Sequence, residues 1–138
     1  MTKYFWYGVV LFITLGVAAN LLVWFWPRQQ TAGLELPSYP LSQVAAGKAL
    51  YKVNCATCHG VQGAGNAQAG VPALNGSMHA WHHPDAQIAS FIRNGVGQMG
   101  AVGPGWTEKE VDAVLSYIKQ WWDPEQLAYQ TESSRQNP

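Results

Sequence analysis

Two cysteines and one histidine lie close enough together in this chain to hold a metal-containing group. They form Cys55-Ala-Thr-Cys58-His59, and the 138 residues contain no other cysteine. Cys-x-x-Cys-His is the attachment signature of a c-type haem, in which both thiols bond to the porphyrin and the histidine ligates the iron. Two intervening residues let one turn of backbone present both sulfur atoms to one edge of a flat ring. The motif therefore predicts one covalently attached haem c.

A second iron ligand is predicted from a methionine forty positions beyond the motif. Met99 lies in a glycine-rich stretch, residues 95–105, that shows no helical periodicity and is called the Met99 loop below. A methionine in a helical stripe usually packs in a core, whereas a loop methionine downstream of this motif suits a soft thioether ligand. His59 and Met99 are thus the predicted metal ligands. Met78, a histidine and an open sixth position are the alternatives.

Helical patterns precede the motif and follow the Met99 loop. The first has Ser42 as its predicted N-cap and runs directly into the cysteines. The last begins at Thr107, which forms a capping box with Glu110, and it ends at Asp123-Pro124. A shorter helix is predicted after His83-Pro84 and ends at Asn94-Gly95. The apolar and small positions at helical spacing are Val44, Gly47, Leu50 and Tyr51 in the first helix, and Val111, Val114, Leu115, Ile118 and one of Trp121 and Trp122 in the last.

The order of these features resembles the class I cytochromes c. The resemblance is carried by the motif with Gly60, by a following glycine loop, by Pro72 with Leu74, and by a methionine loop before the final helix. It implies an all-α fold, with a small helical domain around one covalent haem. It further implies that the carbonyl of Pro72 accepts a hydrogen bond from the ligand His59, so Pro72 joins Cys55, Cys58, His59 and Met99 as predicted cofactor-binding residues.

Two further positions bear on this resemblance. In the family the first and last helices cross at a contact between a glycine and an aromatic residue, for which Gly47 and Tyr117 are the candidates. Family members commonly have a proline after the ligand methionine, whereas this chain has Gly100. The departure loosens the match next to Met99 without removing the sulfur atom.

An uncharged apolar segment precedes this domain. Residues 4–26 carry no charge, and aromatic side chains stand near both ends, with Trp24 and Trp26 at the second. About 20 apolar residues cross a bilayer core, and aromatic residues favour its interfaces. A cleaved signal peptide ending near Val17-Ala-Ala19 is the alternative. The predicted organisation is a single transmembrane anchor at 1–27, a linker at 28–40, a cytochrome c domain at 41–123 and a polar C-terminal tail at 124–138.

Three histidines between the motif and the Met99 loop have no clear role in the sequence. His79, His82 and His83 could be structural or surface residues, or one of them or Trp81 could contact a haem propionate. A second metal site is the third possibility, although no further cysteine or histidine elsewhere completes it.

Composition limits the function that these residues could serve. The formal net charge is zero and only 12% of residues are charged, so no nucleic-acid partner is expected. Iron with both axial positions filled has no site for a small-molecule substrate, which predicts an electron carrier and not an enzyme. The expected location is the bacterial cytoplasmic membrane, with the haem domain on the periplasmic or other extracytoplasmic face.

The expected partners are redox proteins, namely other subunits of a respiratory or photosynthetic membrane complex. Alternative complex III, a haem-copper oxidase and a photosynthetic assembly are the candidates. Two functions of other classes stay open, namely the haem subunit of a substrate-oxidising dehydrogenase and a haem-based sensor with a labile sixth ligand.

Overall fold

The computed structural model describes the backbone of residues 2–31 and 36–138, and side chains within residues 4–22 and 36–138. Within these ranges all regular structure is helical, and two isolated antiparallel pairs, Asn66 with Val71 and Val96 with Met99, are the only β-type pairing. The all-α prediction is therefore confirmed. The helices are α1 (Thr2–Thr31), α2 (Leu41–Asn54), α3 (Ala56–His59), α4 (Asp85–Asn94), α5 (Glu108–Ile118) and α6 (Pro124–Gln136).

The chain divides into two compact units, of which the first, Met1–Glu35, contains α1. Its segment Tyr4–Leu22 is 19 residues long with a mean hydropathy of 1.9 and is exposed throughout, which is long and apolar enough to cross a bilayer. The amide of Asn20 donates to the carbonyl of Gly16 at 2.9 Å, so this polar group is satisfied within its own helix.

The helix extends past the predicted end of the anchor at residue 27. It continues to Thr31, so the first four residues of the predicted linker 28–40 are helical. Residues 32–35 of that linker lie outside the described residues, as do the side chains of Trp24 and Trp26 in the predicted second aromatic belt. Residues 36–40 are irregular, as expected.

The second unit, Leu36–Pro138, is built on the crossing of α2 and α5. Gly47 is buried in α2, and a Cβ atom added there would overlap the backbone carbonyl of Ala113 in α5 and lie 3.0 Å from Cβ of Tyr117. Only a glycine allows two helix backbones to come this close. The predicted contact between Gly47 and Tyr117 is therefore confirmed, and the closest neighbour is the α5 backbone itself.

The apolar face predicted for the last helix forms the core. The buried cluster consists of Tyr51, Ile92, Val111, Val114, Leu115, Ile118 and Trp122. Thr107 and Glu110 form the predicted capping box, with the Thr107 N–H donating to the Glu110 carboxylate at 2.8 Å. The predicted cap at Ser42 is wrong, because α2 begins at Leu41, and Pro40, two residues earlier than predicted, occupies the N-cap position without a side-chain hydrogen bond.

The predicted polar tail at 124–138 is a helix in the structure. Asp123 caps α6 by accepting hydrogen bonds from the N–H groups of Glu125 and Gln126, each at 2.9 Å. The helix packs against a 3-10 turn at His79–His82 and against α4. The absence of an apolar stripe hid this helix, because two of the side chains that fix it, Gln126 and Gln130, are amides that form hydrogen bonds.

Candidate haem-attachment site

The motif lies where α2 ends and a shorter helix begins. Cys55 closes α2 by donating its N–H to the carbonyl of Tyr51 at 2.8 Å, and α3 then carries Cys58 and His59. Both cysteines are free thiols, Cys55 half-buried and Cys58 exposed. Burial, with the neighbouring Cys58 charge adding to it, raises the pKa of the Cys55 thiol to about 11. Two unpaired thiols are thus presented three residues apart on one helical turn.

The imidazole of His59 is buried and already oriented. It is 8% exposed, and its Nδ1 lies 2.9 Å from the carbonyl oxygen of Pro72. Because that carbonyl can only accept a hydrogen bond, Nδ1 carries the proton, and the lone pair of Nε2 is left to bind a metal. The hydrogen bond expected from the family resemblance is present.

Residues 71–77, called the Pro72 loop below, pack closely on the glycine segment that follows the motif. Gly65 has φ +69°, and its N–H donates to the His59 carbonyl at 2.8 Å. A Cβ atom at Gly65 would lie 2.6 Å from the backbone of both Val71 and Pro72. Any larger residue there would push the Pro72 carbonyl away from His59. This close packing, two free thiols and a pre-oriented imidazole together fit a covalently attached haem.

Met99 stands at a different place, in a tight turn between α4 and α5. The turn is closed by reciprocal backbone hydrogen bonds between Val96 and Met99, both 2.9 Å long. The loop is tied to the core further on, where the N–H groups of Val102 and Gly103 donate to the carbonyl of Ile92. The thioether is partly exposed on this loop. Its assignment as the second iron ligand stays a prediction.

Comparison with known proteins identifies the family. A family model described as cytochrome c oxidase, cbb3-type, subunit III matches residues 42–118, which is more than half of the chain. The chain belongs to this family. The match includes the motif, Pro72 and Met99, and it ends at the last residue of α5.

This chain is similar to two curated proteins that are oxidase subunits by name. It is 34% identical over 73 residues to the cbb3-type cytochrome c oxidase subunit FixP of Azorhizobium caulinodans, covering 52% of this chain and 25% of FixP. It is 29% identical over 98 residues to subunit CcoP of Rhodobacter capsulatus, covering 62% of this chain and 32% of CcoP. The chain thus spans about a quarter to a third of these relatives. No solved structure matches it.

Met78, the other candidate sulfur ligand, has a partner in the Pro72 loop. Its Sδ lies 3.3 Å from the backbone nitrogen of Ala73, which donates to it. The sulfur is therefore engaged one residue from the carbonyl that orients His59. This contact favours Met99 over Met78 as the predicted second iron ligand.

The three histidines pack against aromatic side chains. His82 contacts Trp81 and Tyr129, with ring centroids 3.7 and 5.4 Å away. His83 packs against Phe91, and His79 packs against His83. Among the described residues no group of three or more histidine, cysteine or acidic side chains could hold a metal ion. These contacts support the structural role that the sequence left open.

Tyr51 and two α6-side residues were missed as contributors to the site. The Tyr51 hydroxyl donates to the carbonyl of Gly60 at 2.8 Å, directly after the motif, and burial raises the pKa of this phenol well above its usual value. Trp122 and Gln126 donate to the Pro72 loop. For Gln126 the sequence did contain a signal, because the Asp-Pro-x-Gln pattern at residues 123–126 is typical of a capped helix start.

Proposed function

We propose that this chain is a membrane-anchored, electron-transfer monohaem c-type cytochrome and a subunit of a cbb3-type haem-copper oxidase. The family match supports the oxidase, and the relatives' names point to the same complex. The single Cys-x-x-Cys-His motif supports one haem on this chain. The apolar helix α1 supports anchoring, with the haem domain on the periplasmic face of the membrane.

In this proposal Cys55 and Cys58 attach the haem, and His59 and Met99 ligate its iron. The haem supplies one-electron redox chemistry when bound. The observation that carries the assignment is the hydrogen bond from His59 Nδ1 to the Pro72 carbonyl, because it leaves the lone pair of Nε2 free to bind the iron. Ligation by Met99 would favour Fe(II) and raise the potential, and iron held by both residues would have no free position for a substrate. The chain therefore passes electrons and does not itself catalyse a reaction.

The charges of the domain support a partner that is held close by. No formal charge occurs between Val53 and Pro84 or from Asn94 to Thr107, the stretches that contain the motif, the Pro72 loop and the whole Met99 loop. Long-range steering of a diffusing partner needs a charged surface. A subunit in the same membrane complex needs no such steering, which fits the proposed oxidase.

A matched pair of substitutions tests the ligand assignment. Met99→Leu and Met78→Leu both replace a thioether by a side chain of similar volume. In the full chain matured with haem, Met99→Leu should abolish the far-red charge-transfer band of a sulfur-ligated ferric haem and open the iron to external ligands. Met78→Leu should keep the band. Loss of the band in Met78→Leu alone, or no covalent haem in the unsubstituted chain, would overturn the assignment.

Extraction in mild detergent tests the partners. The proposal expects an oxidase catalytic subunit, with its haem and copper, to purify with the full chain at a constant ratio. A dehydrogenase purifying in its place would refute the oxidase assignment and support the haem subunit of a substrate-oxidising complex.

A further inference from the structure

Two side chains beyond the family match bind the loop that orients His59. Trp122 Nε1 donates to the carbonyl of Leu74 at 2.8 Å, and Gln126 Nε2 donates to the carbonyl of Gly76 at 2.9 Å. The acceptors follow Pro72 by two and four residues. Both donors lie after residue 118, where the family match ends. A segment outside the matched region therefore holds the Pro72 loop.

The Pro72 loop is bonded on two sides. On one side the N–H of Leu74 donates to the carbonyl of Gly63 at 2.7 Å, which ties the loop to the glycine segment after the motif. On the other side stand Trp122 and the first turn of α6. Two flexible loops that are bonded only to each other can move together. Bonds to Trp122 and to a packed helix restrict the movement of the Pro72 loop.

The helix α6 is itself fixed to the rest of the unit. Gln130 is fully buried, and its Nε2 donates to the carboxylate of Asp85 at 2.6 Å and to the hydroxyl oxygen of Ser134 at 2.9 Å. Asp85 begins α4 and also forms an ion pair with the buried Lys119 at 2.7 Å. These contacts hold α6 against α4, and so the donors that reach the Pro72 loop are held in place.

We propose that α6 and the preceding Trp122 together position the iron ligand His59, acting through the Pro72 loop and the Pro72 carbonyl, and that they thereby lower the reduction potential of the haem. The inference rests on the proposed function, in which His59 ligates the iron. A carbonyl that accepts a hydrogen bond from Nδ1 makes the imidazole a stronger electron donor, and a stronger donor favours Fe(III). Freeing the loop lengthens this hydrogen bond and raises the potential.

Gln126 allows the proposed bond to be removed separately from the helix cap. Its Oε1 accepts from the N–H of Asp123 at 3.2 Å within the capping box, whereas its Nε2 reaches Gly76. Gln126→Glu keeps the acceptor and loses the donor, and Gln126→Met loses both. Gln120→Glu is the matched control, because this exposed residue bonds only its own helix, through the Ser116 carbonyl at 3.0 Å, and gains the same charge.

The variants are compared as haem-loaded full chains in detergent, by titration against a redox mediator. At a fixed applied potential, Gln126→Met should raise the ratio of reduced to oxidised haem about threefold, which is ~28 mV for one electron. The ratio of reduced to oxidised haem should be higher in Gln126→Glu than in Gln120→Glu by a similar factor. Both variants gain one negative charge, so the comparison between them removes the effect of that charge. In proton NMR the His59 Nδ1 proton should exchange with solvent faster in both Gln126 variants, and its exchange rate should be unchanged in Gln120→Glu.

Unchanged potential and unchanged Nδ1–H exchange in the Gln126 variants would overturn the inference, as would a loss of stability without either change. Trp122→Phe is a second variant, which keeps an aromatic ring in the core and removes the bond to Leu74. It should shift both readouts in the same direction. Failure of the proposed function would be seen separately, as a missing covalent haem in the unsubstituted chain or as a haem spectrum that a substitution of His59 leaves unchanged.

Discussion

Replacing Gly47 by alanine tests the helix crossing on which the motif is mounted. The added Cβ atom would overlap the backbone carbonyl of Ala113 and lie 3.0 Å from Cβ of Tyr117. A backbone carbonyl cannot rotate away as a side chain does, so α2 and α5 must move apart. Overpacking of this kind costs about 1–3 kcal/mol, and a backbone neighbour places Gly47→Ala near the upper value.

A smaller effect opposes this loss. Alanine is the better helix former, by roughly 1 kcal/mol over glycine. The net decrease in the free energy of unfolding should therefore be about 2 kcal/mol, which lowers the melting temperature of a domain of this size by roughly 10 °C. Because α2 ends in the motif, the separation should also disturb the bond from the Tyr51 hydroxyl to Gly60.

Urea and thermal unfolding of the full chain in detergent, followed by circular dichroism, measures the change. Ala46→Gly is the matched control, because Ala46 is exposed on the same helix and reports the propensity difference alone, a loss of about 1 kcal/mol. If Gly47→Ala proves as stable as the unsubstituted chain while Ala46→Gly shows its expected loss, the helices do not cross as closely as described and the reasoning fails.

Two further predictions concern the charges around α4 and α6. Asp85→Asn should lower the free energy of unfolding by about 2 kcal/mol, because it leaves Lys119 charged and without its partner at 4% exposure. The loss should be smaller than the roughly 3–5 kcal/mol for breaking a fully buried ion pair, because Asp85 is 39% exposed. Lys119→Met should cost less in the same urea titration, since Asp85 keeps water and Gln130 as partners; the reverse order would contradict the argument. Burial, with the charges of Asp85 and Asp112 adding to it, raises the pKa of Tyr39 from 10.0 to about 12. The folded chain holds this proton more tightly than the unfolded chain, so stability should fall as pH rises from about 10 to 12, and Tyr39→Phe should reduce that fall in alkaline urea titrations. An identical pH slope in Tyr39→Phe would refute it.

The sequence predicted best where the cause of a structure lies in a few neighbouring residues. The box at Thr107 and Glu110 and the apolar face of α5 are local patterns, and both are present. The contact of Gly47 and the hydrogen bond of Pro72 span longer distances, and only the family resemblance predicted them. Spacing alone does not show which distant backbone a glycine or a carbonyl will meet.

The helix α6 was missed for a physical reason. Periodicity detects helices that bury an apolar stripe, and the contacts that Gln126 and Gln130 make are hydrogen bonds to a loop, a carboxylate and a hydroxyl. From composition alone, a helix held by such residues cannot be distinguished from a polar tail in solvent. The ion pair between the buried Lys119 and Asp85 shows the same limit, since its two residues lie 34 positions apart in the sequence.

His59 and the proposed second ligand Met99 differ in how firmly the fold holds them. On the His59 side, the imidazole, the Pro72 loop, Gly63 and the start of α6 form one bonded network. On the Met99 side, a four-residue turn and two bonds to Ile92 hold the loop, and Gly100 lacks the fixed φ that a proline would supply. Replacing Met99 would therefore break few contacts, whereas replacing His59 would break the network. This asymmetry fits the proposal that His59 is the firmly oriented ligand and that Met99 would be the more easily displaced one.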